Sequence, residues 1–340
     1  MFTSHHLRPI SKNLRFLSTS RRVQHENPLG LPRRPPPPQM PRKGGPIQRR
    51  SIANVDKVLV VASGKGGVGK STIALNLAFA LALRKNEQTN APLRVGILDL
   101  DIFGPSIPTL MALKNAGEPA LTSVGSILPM INHGLPCMSM GFLIPSTIPG
   151  SDDNTDTPIV WRGLMVQKAV QQLLFDVDWS RDGQGLDILV VDMPPGTGDV
   201  PLTLGQLVNV DGSCVIVSTP QDVALSDVRK GIAMLRKVSV PITGLILNQS
   251  FYLCPGCNSH TPRYLFGKPD NFHDVARKLD TPVLGELPLV EGVSTSADGG
   301  YPYVLTNIKM VESTDGDGGL TWRSNMAQVA ERVTSALWKS

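Results

Sequence analysis

The sequence predicts an α/β fold, a mainly parallel sheet covered by helices on both faces. Three observations lead there. Short apolar runs alternate with longer stretches whose apolar residues recur every three to four positions. The first run ends in glycines and passes directly into a helical stripe. Two other runs end in aspartate, Asp99 and Asp192, where a strand would leave its sheet. Strands that alternate with helices pair in parallel, and the crossovers cover both faces.

Residues 58–62 are a continuous apolar run, read as a buried strand. Over 71–84, Ile73, Leu77, Ala80 and Leu81 form a helical stripe. Residues 95–98, 127–131 and 135–140 follow as strands. Leu164, Ala169, Val170 and Leu173 mark a helix over 161–175. Strands are expected at 188–191, 214–217 and 242–247, and a helix over 223–238 through Leu225, Val228, Ile232 and Leu235. A short strand opens at 283–284, and a helix over 326–338 closes the chain, its apolar face packed on the domain. No internal repeat is visible, so one α/β domain is placed over 52–340.

The net charge of +5 is uneven. Residues 1–50 carry 11 Lys/Arg and one acid, Glu26, leaving 22 basic and 27 acidic residues in the remainder. A slightly acidic body argues against nucleic-acid binding. The start is rich in Arg and Ser, free of acid, and places Leu7, Ile10, Leu14 and Leu17 at helical spacing. That composition reads as a mitochondrial transit peptide over 1–25, with an ordinary basic tail as the alternative. Residues 26–51, with Pro35–Pro38 and further arginines, read as an extended linker. No apolar run approaches the roughly 20 residues that span a bilayer, which leaves at most peripheral membrane contact.

Residues 64–72, Gly-Lys-Gly-Gly-Val-Gly-Lys-Ser-Thr, match the phosphate-binding pattern G-x-x-x-x-G-K-[ST]. An apolar strand precedes them and a helix follows, the setting the motif requires. Gly64, Gly66, Gly67 and Gly69 permit a tight turn, and with Lys65, Val68 and Thr72 they present backbone N–H groups to an anion. Lys70 is expected to reach the β- and γ-phosphates of ATP, and the Ser71 hydroxyl to ligate Mg²⁺. The chain is thus read as a P-loop NTPase. Asp192 suits a hard dication near phosphates, and the loop 193–199 suits sensing of the γ-phosphate. Either Asp99 or Asp101 could orient the attacking water. Asp101, further into its loop, is favoured, and Asp99 has the alternative of a strand-end hydrogen-bond acceptor.

Four cysteines are too few for a disulfide scaffold. Cys137 and Cys214 sit in apolar runs as core residues. Cys254 and Cys257 form a CxxC pair just after a strand. Two thiolates at this spacing can chelate one metal centre but supply half of a four-ligand set. The simplest completion is the same pair from a two-fold partner, hence a homodimer. Zinc remains open at this point, as does a third ligand in His260.

The ordered stretches at 99–108, 192–204, 218–232 and 244–257, together with GKGGVGKST, resemble the Mrp family of iron–sulfur-carrying P-loop ATPases, which also contains ApbC and the cytosolic scaffold ATPases. The resemblance covers residues 55–300, and the presequence makes the mitochondrial, NUBPL-like branch the nearest match. It implies a weak ATPase that carries a labile [4Fe-4S] cluster on Cys254 and Cys257 at a homodimer interface. It also implies delivery to iron–sulfur apoprotein clients in the mitochondrial matrix, complex I subunits among them. Lys65 would reach the partner's phosphates, and catalysis would rest on Lys65, Lys70, Mg²⁺ and Asp101. Asn248 would read adenine, and residues 285–288 would line the nucleotide. Asn258 stands where the family more often has glycine after the second cysteine. The rival readings are a MinD-like organiser at a membrane surface with a structural zinc, and a reductase resembling the nitrogenase iron protein.

Overall fold

A computed structural model of the chain describes residues 49–86, 89–102, 104–143, 163–180, 183–210, 213–256 and 261–339. The expected transit peptide, Cys257 and His260 lie outside them, as does all but the last part of the expected linker. The described residues all belong to one compact unit, 46–340.

Its centre is an eight-stranded sheet in the order β3-β4-β2-β5-β1-β6-β7-β8. The strands are β1 (Val55–Ser63), β2 (Val95–Asp99), β3 (Met130–Asn132), β4 (Leu135–Ser139), β5 (Leu186–Asp192), β6 (Ser213–Ser218), β7 (Ile242–Leu247) and β8 (Val283–Glu286). Every neighbouring pair is parallel except β3 with β4. The interior strands are apolar without alternation because both faces are covered; Leu59, Val61, Leu189, Val190, Val215 and Val217 are completely buried. The helices are α1 (Lys70–Ala82), α2 (Ile107–Leu110), α3 (Gly163–Phe175), α4 (Asp199–Leu207), α5 (Asp222–Lys237), α6 (Asp270–Lys278), α7 (Glu291–Asp298) and α8 (Ile308–Lys339). Helices α1, α2, α7 and α8 pack together, as do α3 with α4, α4 with α5, and α5 with α6, one group for each face. None of the described helices is long and apolar enough to cross a membrane.

The fold departs from the sequence expectation in a few places. No continuous strand covers 127–131. Ile127 makes isolated bridges to Leu121 and Val177, and pairing resumes at Met130, because Pro129 between them has no N–H to donate. The closing helix begins at Ile308 and is broken at Gly316, whose φ of 57° and ψ of −144° are not helical. The glycines at 316, 318 and 319 hid the earlier half from a periodicity reading. The sequence reading does not anticipate helices α2, α4, α6 and α7; α2 has only four residues, and α7 fully buries none, resting on the core only through half-buried Val293 and Ala297. Contacts with the domain are already made before Ile52: Arg50 donates its N–H to Leu207 and accepts from Asn209, and its guanidinium lies 3.6 Å over the Phe175 ring. The packed face of α8 is as expected, with Met326, Val329, Val333 and Leu337 fully buried.

Candidate functional site

The glycine loop connects β1 to α1 at the carboxyl edge of the sheet. Gly67 and Gly69 take φ of 79° and 81°, a conformation costly for any residue with a Cβ. Gly64 has no room for a side chain, since a Cβ there would stand 2.6 Å from the backbone of Asp227 on α5. Val68 turns into the core, 2% exposed. The loop rims a cavity of about 260 Å³ lined by Lys65, Gly66, Gly67, Gly69, Lys70, Ser71 and Thr72, with Ser63, Asp101, Ser106, Leu110 and Pro195. An ammonium, hydroxyls and a helix N-terminus converging on one hollow suit a polyphosphate.

Lys70 and Asp192 form a buried ion pair, Nζ to Oδ1 2.5 Å, with side chains 6% and 0% exposed. Lys70 Nζ also lies 3.1 Å from Ser71 Oγ. Burial pushes the Asp192 carboxyl up, against the pull of the Lys70 ammonium. Its second oxygen, Oδ2, is buried with no hydrogen-bond partner among the described residues. An unpaired carboxylate oxygen beside the Ser71 hydroxyl fits a hard dication, directly or through water. The residues present therefore fit Mg²⁺.

Asp99 and Asp192 stand opposite each other on β2 and β5. Asp99 accepts from Ser139 Oγ and from the backbone N–H groups of Asp101, Ser106 and Ile107. It ties down the loop that follows β2. Burial, together with the charge of Asp192, pushes its carboxyl up to about 7. Asp101, two residues on, lines the cavity. Lys65 donates to Gln221 Oε1 at 3.0 Å, just ahead of α5. Gln221 as the resting partner of Lys65, and Ser106 as a wall of the cavity, were missed by sequence reasoning. Both stand inside the motif stretches already noted, and only folding brings them to the glycine loop.

Asn248 and residues 285–288 are not among the residues lining this cavity. The Asn248 Nδ2 donates instead to the Val68 carbonyl at 2.9 Å. Glu286 accepts from Ser250 Oγ at 2.9 Å and pairs with His273 at 2.7 Å. Cys254 is half-buried in the loop after β7. That loop is closed at its base by two backbone bonds between Tyr252 and Arg263, and Pro255 packs beside the break at Gly316. Both loops leave the same edge of the sheet with β6 alone between their strands, about 10 Å laterally. Cys137 and Cys214 are buried, and burial pushes both thiols up to about 12, so neither offers a thiolate at neutral pH.

Comparison with known proteins identifies relatives of this chain. The mouse protein named iron-sulfur cluster transfer protein NUBPL is 48% identical over 268 residues, 79% of this chain and 76% of its own length. An Arabidopsis thaliana protein named iron-sulfur protein required for NADH dehydrogenase, mitochondrial, is 42% identical over 78% of this chain and 76% of its own. Among solved structures, the Archaeoglobus fulgidus nucleotide-binding protein in complex with ADP is 31% identical, with a TM-score of 0.56 over 73% of this chain and 87% of its own. The MinD cell division protein of Aquifex aeolicus, 17% identical with a TM-score of 0.51 over 82% of this chain and 97% of its own, shares the fold. The family model described as ParA: NUBPL iron-transfer P-loop NTPase matches residues 54–316, and the chain belongs to that family.

Proposed function

We propose that this protein is an ATP-dependent iron–sulfur cluster carrier acting in the mitochondrial matrix. Residues 1–25 serve as the transit peptide, 26–51 as the linker and 52–340 as the ATPase domain. The cargo is a labile [4Fe-4S] cluster held by Cys254 and Cys257 from each of two subunits, and it passes to apoproteins that include complex I subunits. Support for the client comes from the name of the Arabidopsis relative, and for the cargo from the names of the mouse and bacterial relatives.

One observation carries the reading: a polyphosphate-suited cavity and the Cys254 loop open on the same sheet edge, one strand apart. In a nucleotide complex Lys70 leaves Asp192 for the phosphates; Ser71 and Asp192 are the residues that would hold Mg²⁺, which would supply neutralisation of phosphate charge. Asp101 orients the attacking water, and Lys65 leaves Gln221 for the phosphates of the partner subunit. Asn248 retains its Oδ1 for an adenine edge. Hydrolysis is slow, and it alters the subunit contact and with it the grip on the cluster. The rival of a membrane-surface organiser gains no support from the last part of α8, where Met326, Val329, Val333 and Leu337 are committed to the core.

The test is anaerobic reconstitution with iron and sulfide, followed by iron, sulfide and zinc analysis. The wild type is expected to hold one four-iron cluster per two chains. Cys254→Ala and Cys257→Ala are expected to hold none while binding ATP normally, and Lys70→Ala to keep the cluster and lose ATP. Cysteine variants that retain native iron and sulfide would sink the assignment.

A further inference from the structure

The glycine loop and the Cys254 loop are joined by a short, fully pinned strut that begins at Asn248. Its backbone N–H is bonded to the Ser218 carbonyl at the end of β6, and its side-chain Nδ2 to the Val68 carbonyl of the glycine loop at 2.9 Å. Two residues on, Ser250 is fully buried, with its N–H on Leu287 and its hydroxyl on Glu286. Phe251 accepts from Leu289, and Tyr252 exchanges both backbone bonds with Arg263, closing the loop that carries Cys254. Glu286 is itself held by His273 and, through its carbonyl, by Asn325. Five residues with alternate anchors have little freedom to absorb a displacement at one end.

The glycine-loop end of the strut has the greater backbone freedom. Val68 lies between two glycines in the left-handed region, so the Val68–Gly69 peptide can swing with little steric penalty. The chain has no cis peptide bond among the described residues. In a trans peptide the C=O and N–H point to opposite sides. A Val68 carbonyl turned to Asn248 therefore sends the Gly69 N–H away from Asn248, and Gly69 lines the cavity. At Gly69 a Cβ would stand 2.5 Å from Asn248 Nδ2, so the contact is as close as glycine permits.

We propose that Asn248 is a positioning residue: by gripping the Val68 carbonyl it aims the Gly69 N–H at the phosphates, and through the strut it transmits their arrival to the Cys254 loop. This rests on the nucleotide reading above and adds the physical link between the two sites. It assigns the Asn248 amide a duty toward phosphate that does not depend on the base.

Asn248→Ala and the isosteric Asn248→Asp, which cannot donate to a carbonyl when ionised, are compared with wild type as full-length, reduced, metal-free protein. Calorimetry is run with MgATP and with magnesium tripolyphosphate, which has phosphates and no base. Loss of one hydrogen bond in Asn248→Ala predicts weakening of about three- to tenfold for tripolyphosphate and at least as much for MgATP, which also loses the amide's adenine contact, with Asn248→Asp weaker still because its charge repels both ligands. In parallel, alkylation of Cys254 is timed with and without saturating MgATP and quantified by peptide fragmentation. Wild type is expected to change rate on saturation, and both variants to show a ratio near one while still melting cooperatively. Weakening of MgATP alone would make Asn248 a base reader and overturn the proposal. So would an unchanged affinity, a nucleotide-dependent labelling ratio retained in the variants, or a wild-type ratio of one. Wild-type protein that binds neither ligand would instead defeat the nucleotide reading itself.

Discussion

Lys70 and Asp192 show how one ion pair can govern a site. Without nucleotide, each neutralises the other in a place where water cannot. Removing one partner leaves a buried charge alone, a loss of about 3–5 kcal/mol. Lys70→Ala is therefore expected to destabilise the nucleotide-free protein by that amount in urea unfolding. The double variant Lys70→Ala with Asp192→Asn should recover most of it, since neither position then leaves an unpaired charge buried. Additive losses would mean that the two side chains do not interact in solution. In the proposed nucleotide complex the same argument would call for Mg²⁺, because phosphates that drew Lys70 away would leave Asp192 in need of another cation. Asp99, one strand over, has its oxygens spent on Ser139 and three backbone N–H groups, so it builds the loop that presents Asp101.

Among the elements, the break in α8 is the feature with the most to lose. Gly316 holds a backbone conformation that a side chain makes costly, although an added Cβ there would meet Pro255 only at ordinary contact distance, 3.6 Å. Gly316→Ala is thus a backbone-strain substitution without a steric clash. A loss of about 1–3 kcal/mol is expected, seen as a lower melting temperature, together with faster alkylation of Cys254 as Pro255 loses its seat. Unchanged melting would show that the helix runs straight through residue 316. Helices α4, α6 and α7 are elements that periodicity did not reveal. Each is eight or nine residues long, too short for a stripe to stand out, and α6 opens and closes on charged residues.

At the scale of the whole molecule, the proposed carrier needs two chains to finish one cluster. Light scattering of the reconstituted protein is expected to give twice the chain mass of 36.6 kDa, falling to the single mass when a chelator strips the iron. Cys254→Ala should stay at the single mass after the same treatment, and a single mass for the iron-loaded wild type would refute the shared site. The slightly acidic body and the basic first 50 residues give opposite charges to the two parts of the chain. In the reading proposed above, the basic part is the transit peptide and linker and the acidic part the ATPase domain.

The fold class, the glycine loop, Asp192 at a strand end and the CxxC pair were all legible in the sequence. Each depends on local order: an apolar run with the right punctuation, or a spacing of a few residues. Tertiary structure alone decided what meets across the chain. Lys65 finds Gln221, the Asn248 amide goes to the Val68 carbonyl, and Asp99 becomes a four-donor anchor while Asp101 faces the cavity. Those outcomes depend on strand order, because β7 reaches the glycine loop only across β6, and β2 stands beside β5 although 86 residues separate Asp99 from Leu186. A one-dimensional pattern carries the period of each element but not the neighbour against which it will pair.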